Sequence, residues 1–147
     1  MAYFPKSKSD KWGTPAYIYD KLHEEFKFNC DPCPIDWSPD THGDGLTMEW
    51  GTSTFVNPPY SDVSKWIEKA HEEWKRGNTV VMLINAITDT IAFHRYILGN
   101  AEIRFIKGRV KFINPDEPDK KAPNVKPSMI VIFKNDGAAG FSGLTNN

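Results

Sequence analysis

Ser53-Thr54-Phe55-Val56-Asn57-Pro58-Pro59-Tyr60-Ser61 reads as a short strand, a rigid polar turn and the start of a helix. In an open α/β sheet the turn after a strand's carboxyl end is where ligands bind. Asn57 precedes a proline and is pushed out of the α region. Pro58 and Pro59 fix their own φ and carry no N–H. The carbonyls of Asn57 and Pro58 therefore remain as acceptors with no competing donor beside them. The Asn57 side chain adds a further acceptor, and Tyr60 adds an aromatic face. Two rigid acceptors beside a ring suit a flat group with an exocyclic NH2, such as the amino group of adenine.

Outward from this turn, Ser61 is the expected N-cap of a helix, with Asp62 at its positive end. Val63, Trp66, Ile67, Ala70 and Trp74 share one face, and Gly77 closes it. Tryptophans at this spacing belong to a core before they belong to a ligand site. Thr79 to Ile84 is continuously apolar, as in a central parallel strand covered on both faces. Asn85 to Asp89 is then a second loop at a strand's carboxyl end. Asp89 suits capping of the next helix, Thr90 to Leu98, as well as a place near the site. Strands follow at Glu102 to Ile106 and Arg109 to Phe112. Residues 113–127 hold four prolines and read as an exposed loop. Ser128 to Phe133 is a buried strand, and 135–147 is expected to be a mobile tail.

Upstream, residues 1–11 are polar and lysine-rich and read as a loose arm. Thr14 suits an N-cap with Pro15 at the first helical position, and the helix runs to about Glu25. Phe26 to Cys30 alternates as a strand. Cys33 to Gly51 is a long loop, with a short strand suggested at Leu46 to Glu49; loops of such length are usually functional. Residues 12–134 thus form one α/β domain, with a sheet parallel at its centre and an antiparallel strand at the C-terminal end.

Composition bounds the class. The 147 residues are 39% hydrophobic and 25% charged, as in an ordinary single globular domain. No apolar run is long enough to span a membrane, and the first residues lack the apolar region of a signal peptide, which predicts a cytoplasmic protein. Net charge is −1, so any contact with nucleic acid must come from a local patch and be salt-sensitive. Cys30 and Cys33 stand as Cys-Asp-Pro-Cys. Zinc would need two more ligands, with only His23 and His42 nearby, so two reduced cysteines packed beside a loop fit better and no metal is expected.

Several segments together resemble a family. Asn57-Pro58-Pro59-Tyr60 looks like the (Asp/Asn/Ser)-Pro-Pro-(Tyr/Phe/Trp) motif of S-adenosylmethionine-dependent amino-methyltransferases. With Trp12-Gly13-Thr14-Pro15, Phe28-Asn29-Cys30-Asp31-Pro32-Cys33, Trp66, Gly77 to Leu83 and Gly108-Arg109-Val110-Lys111-Phe112, it resembles the small phage-type DNA N6-adenine methyltransferases of the Dam family, over about residues 10–134. The resemblance implies a Rossmann-like sheet, S-adenosylmethionine as cofactor, DNA as partner and, for a phage protein, a bacterial host cell. It implies that Asn57, Pro58, Pro59 and Tyr60 hold and stack on the target adenine. It implies that Trp12, Thr14, Pro15, Asp31 and Pro32 hold the cofactor, with Glu49 beside the cofactor's adenine or the target base. Two departures stand out: Asp31-Pro32-Cys33-Pro34 replaces the usual glycine-rich loop, and no room exists for a separate target-recognition domain.

The chemistry of the motif agrees. The lone pair of adenine N6 is delocalised into the ring, and acceptors aimed at its protons favour the nitrogen geometry that develops as a methyl arrives. The base must leave the duplex stack to reach a pocket. Lys107, Arg109, Lys111, Lys120, Lys121 and Lys126 are candidates for phosphate contacts, although the first three also fit solvent-facing positions on a strand. Cytosine N4, RNA adenine and a protein glutamine amide present the same planar NH2. A degenerate methyltransferase that only binds DNA is the rival from another class.

Overall fold

A computed structural model describes residues 13–34, 44–114, 116–135 and 139–145. The expected arm at 1–11, Trp12, His42 and the end of the tail lie outside these residues. The elements are helix α1 (Ala16–Phe26), strand β1 (Ser53–Val56), a 3-10 turn (Tyr60–Asp62), helix α2 (Val63–Lys75), β2 (Thr79–Asn85), a short π-helical segment (Phe93–Ile97), β3 (Glu102–Lys107), β4 (Lys111–Asn114), β5 (Glu117–Pro123), β6 (Ser128–Phe133) and β7 (Gly140–Thr145). No described helix is long and apolar enough to cross a membrane.

Five strands form one sheet in the order β1-β2-β6-β3-β7. β1 and β2 are parallel, with Ser53 opposite Thr79 and Val56 opposite Met82. They are joined through α2, the crossover that parallel neighbours require. β6 is antiparallel to both β2 and β3, and β7 is parallel to β3. This corrects the expectation of a parallel centre with the antiparallel strand at one end: β6 sits between β2 and β3. Every residue of Ser128–Phe133 is buried, and a strand apolar on both faces is stable only with neighbours on both sides and layers above and below.

The alternation of each strand builds two cores. Val80, Met82, Ile84, Met129, Val131 and Phe133 face Trp66, Ile67 and Ala70 of α2 and Phe93 and Ile97 of the π-helical segment. Val81, Leu83, Ile130 and Ile132 face Leu22 of α1, Phe28, Val110 and Phe112. Trp66 is 1% exposed, and Trp74 packs against the same cluster, so the helix tryptophans are core residues as their spacing suggested.

Five local expectations change. Ser61, expected to cap α2, lies inside a 3-10 turn at Tyr60–Asp62, and Asp62 is the N-cap residue, with no side-chain cap. The expected strand at Phe26 to Cys30 is interrupted, because α1 runs through Phe26 and Lys27 takes a left-handed φ of 53°. Only Asn29 and Cys30 pair with β1, through Asn29 N–H to Ser53 O at 2.8 Å and Phe55 N–H to Cys30 O at 3.0 Å. The segment at Leu46 to Glu49 is a turn on Asp44, whose carboxylate accepts the Leu46 N–H at 2.9 Å. The proline-rich stretch after Ile113 folds into an antiparallel β4–β5 hairpin with an irregularity at Ile113/Asn114. Pro118 and Pro123 lie in β5, which pairs with β4 in a two-stranded sheet, and an edge strand tolerates proline. Gly140–Thr145, expected to be mobile, pairs along the edge of β3, where Phe141 stacks on Phe105 with centroids 6.1 Å apart.

Candidate active site

Strand directions decide what meets. β1, β2 and β3 point the same way and β6 points opposite. The turns after β1, β2 and β3 and the turn before β6 therefore stand on one sheet edge. Asn57 to Tyr60, Asn85 to Ile87, Lys107 to Arg109 and Asn124 to Pro127 all belong to it.

Thr14 joins them. It was expected to cap α1, but Pro15 is the N-cap residue and no side chain caps the helix. The Thr14 hydroxyl instead accepts a hydrogen bond from Asn57 Nδ2 at 3.0 Å. Gly13 is held by two bonds to Ile113 of β4, at 2.8 and 2.9 Å. With the Asn57 NH2 donated to Thr14, Oδ1 is the acceptor end of an amide that is only 5% exposed.

Asn57 to Tyr60 separates two cavities. The first, about 240 Å3, is lined by Gly13, Thr14, Tyr19, Asp31, Cys33, Pro34, Phe55, Asn57 and Ile113. Asp31 is exposed on its rim, and its Oδ1 accepts the Cys33 N–H at 3.1 Å. This side-chain-to-backbone turn is the local alternative to a glycine turn, and it accounts for Asp-Pro-Cys-Pro where a glycine-rich loop was absent. Tyr19 stands edge-on to Phe55 with centroids 5.2 Å apart. Burial, then the charges of Asp31 and Asp20, push its phenol above the usual value, so it stays protonated and able to donate. Cys30 and Cys33 form no disulfide, and Cys33 packs into the core.

The second cavity, about 160 Å3, is lined by Pro58, Tyr60, Val63, Leu83, Asn85, Ile87, Thr90, Phe93, Lys126 and Met129, with Ile67, Ile84 and Ile97 behind them. It is largely apolar, with Tyr60, Asn85, Thr90 and Lys126 as its polar members. Thr90 also caps the segment after β2, its hydroxyl accepting the Phe93 N–H at 3.1 Å. Asp89 is exposed and lines neither cavity, so the capping expected of it falls to its neighbour.

Of the predicted residues, Thr14, Asp31 and Asn57 thus meet in one cavity and Pro58, Tyr60 and Lys126 in the other. Pro15, Pro32 and Pro59 are buried beside them and shape the turns without lining either space. Glu49 is exposed, precedes the amino end of β1 and lines neither cavity. Lys107, Arg109 and Lys111 are exposed on or near the same edge. Lys120 and Lys121 lie on β5, but their side chains fall outside the description. Sequence reasoning missed Tyr19, Ile113 and Asn124. Tyr19 follows the apolar Ile18 in an amphipathic helix, and nothing local marks it as a lining residue. Ile113 enters only through the pairing of β4 with Gly13.

A family model described as DNA N-6-adenine-methyltransferase (Dam) matches residues 2–142. The DNA N-6-adenine-methyltransferase of Haemophilus phage HP1 (strain HP1c1) is 31% identical over 140 residues, covering 88% of this chain and 81% of that protein. The DNA N-6-adenine-methyltransferase of Escherichia phage T1 is 27% identical over 156 residues, covering 88% of this chain and 65% of that protein. The strand–turn–helix at Asn57 to Tyr60, the two cavities it divides and a match over nearly the whole sequence agree: the chain belongs to the Dam family of DNA N-6-adenine-methyltransferases.

Proposed function

We propose that this chain transfers a methyl group from S-adenosylmethionine to the N6 amino group of adenine in DNA, with the base swung out of the duplex into the cavity beside Tyr60. The observation that carries the reading is the Asn57–Thr14 hydrogen bond. It holds the amide with its carbonyl as the acceptor end, at the boundary between a cavity with a carboxylate and a cavity with an aromatic ring. The names of the two phage relatives support the same chemistry, and the parallel β1–α2–β2 unit with its ligand edge supports a Rossmann-like methyltransferase sheet. The phage sources of the relatives favour work on DNA in a bacterial cytoplasm.

The first cavity suits the cofactor. Asp31 offers a carboxylate to hydroxyl or ammonium groups, Tyr19, Phe55 and Ile113 offer apolar walls, and Thr14 and Asn57 close the end toward the motif. The sulfonium supplies an activated methyl, so the protein's task is alignment. Asn57 Oδ1 and the carbonyl of Pro58 accept from the two N6 protons and favour the pyramidal nitrogen of the transition state. Tyr60 stacks on the flipped base, worth about 1–3 kcal/mol. Lys126 lines that cavity, which favours it as the cation for a phosphate flanking the flipped nucleotide, with Lys107, Arg109 and Lys111 as further phosphate contacts.

Mass spectrometry of nucleosides from DNA incubated with the pure protein and S-adenosylmethionine tests the reading. N6-methyladenine is the expected product. N4-methylcytosine in its place, or no methylated nucleoside from a folded protein, would refute it.

A further inference from the structure

Val125 has no role in the core or in the site described above. It is 85% exposed, the most exposed of the large apolar side chains among the described residues. A single exposed valine needs no explanation on a loose surface. This one stands on a turn that is tied down on both sides of it. Asn124 N–H bonds to Val110 O at 2.9 Å, and Ala86 N–H bonds to Pro127 O at 2.8 Å. Asn124 Nδ2 donates to Asn85 Oδ1 at 2.6 Å, while Asn124 Oδ1 accepts the Lys126 N–H at 3.1 Å. The turn is thereby fixed to the carboxyl end of β2, and its next residue, Lys126, lines the cavity of Tyr60. A rigid turn thus presents an apolar side chain to solvent immediately beside the cavity, with a cation on the cavity side.

We propose that Val125 is a wedge that enters the DNA stack where the target adenine has left it. The inference rests on the methyltransferase reading of the same site. Extruding a base leaves an apolar gap between its former neighbours, and a side chain that fills the gap lowers the cost of holding the base outside. A β-branched side chain suits the task because it has few rotamers to lose on insertion. Lys126, one residue further on, then meets the backbone of the extruded nucleotide. The Asn124–Asn85 bond is the positioning element: it couples the wedge to the strand that floors the cavity, so insertion and capture occur in one register.

The test compares two duplexes carrying the enzyme's mapped target sequence. One has the target adenine normally paired, and the other has an abasic site opposite it, so that the base is already loose. Val125→Ser is expected to lower kcat/KM on the paired duplex by about tenfold or more, because the gap is left unfilled. On the abasic duplex it should stay within about threefold of the native protein, because little extraction cost remains there. Val125→Leu, apolar and of similar reach, should recover most of the activity on the paired duplex. An equal loss on both duplexes, or no loss on the paired one, would overturn the wedge while leaving the methyltransferase reading intact. A native protein inactive on both duplexes would overturn that reading and the wedge with it. Val125 makes no core contact, so a melting temperature near that of the native protein is expected and separates the effect from misfolding.

Discussion

The two edges of the sheet spend their polar residues differently. At the amino edge of the β1, β2 and β3 strands, charges close on one another. Glu73 at the end of α2 is 1% exposed and accepts from Lys69 at 2.9 Å, Arg76 at 2.8 Å and Asn78 Nδ2 at 2.8 Å. Arg104 grips Glu25 through two bonds at 2.8 Å and Glu102 at 2.7 Å. At the carboxyl edge, Thr14, Asp31, Asn57 and Lys126 line cavities, and the backbone that carries them is stiffened by proline and by side-chain turns. Charges that neutralise each other hold elements together. Polar groups that line rigid, partly apolar spaces stand within reach of a ligand.

The contrast makes opposite demands on mutants at the two edges. Glu73→Ala should be the most damaging to the fold. It strands Lys69, whose side chain is 7% exposed, and losing one member of a buried pair costs about 3–5 kcal/mol. Chemical denaturation should register that loss, while the protein that remains folded keeps its turnover. A stable Glu73→Ala protein with impaired catalysis would break the division between the edges.

Thr14→Val tests the other edge. Its side chain has nearly the same shape but offers no acceptor to Asn57 Nδ2. We expect kcat to fall about tenfold through misalignment of the amide, with stability reduced by about 1 kcal/mol. Thr14→Ser should restore turnover. Equal kcat in Thr14→Val and the native protein would show that the amide is oriented by something else.

The smallest effect is expected at Glu25. Hydrogen bonds from Arg104 hold its carboxyl below the usual carboxylate value, outweighing burial. A depressed folded-state value contributes stability above the ordinary carboxylate range, and that contribution is lost as the pH falls through the folded value. Because the Glu25 side chain is 43% exposed, the effect should be about 0.5 kcal/mol. Glu25→Gln should flatten the melting temperature profile between about pH 5 and pH 3 relative to the native protein. Parallel profiles would show that the Arg104–Glu25 pair does not contribute to acid stability.

The sequence was most legible where one local rule dominated. The prolines of the Asn57 to Tyr60 turn, the face of α2 and the apolar run of β2 each demanded one conformation, and each is found in it. It was least legible where partners far apart in the chain decide. β6 reads as a buried strand, but only pairing shows that it lies between β2 and β3. The proline-rich stretch becomes a hairpin because β4 gives it an edge, with Asn124 anchored to Asn85, 39 residues away. Thr14 reads as a cap, yet its hydroxyl meets an amide 43 positions further on. Gly140–Thr145 has little apolar character of its own and is ordered by the open edge of β3.

The central claim is that Asn57 acts on the reacting amino group and not on the fold or on cofactor capture. Asn57→Ala, titrated calorimetrically with S-adenosylmethionine and then assayed for methyl transfer to DNA, tests it most directly. Cofactor affinity is expected to stay within a few-fold of the native protein, with turnover reduced by about 100-fold or more. Full turnover in a folded Asn57→Ala protein would contradict it.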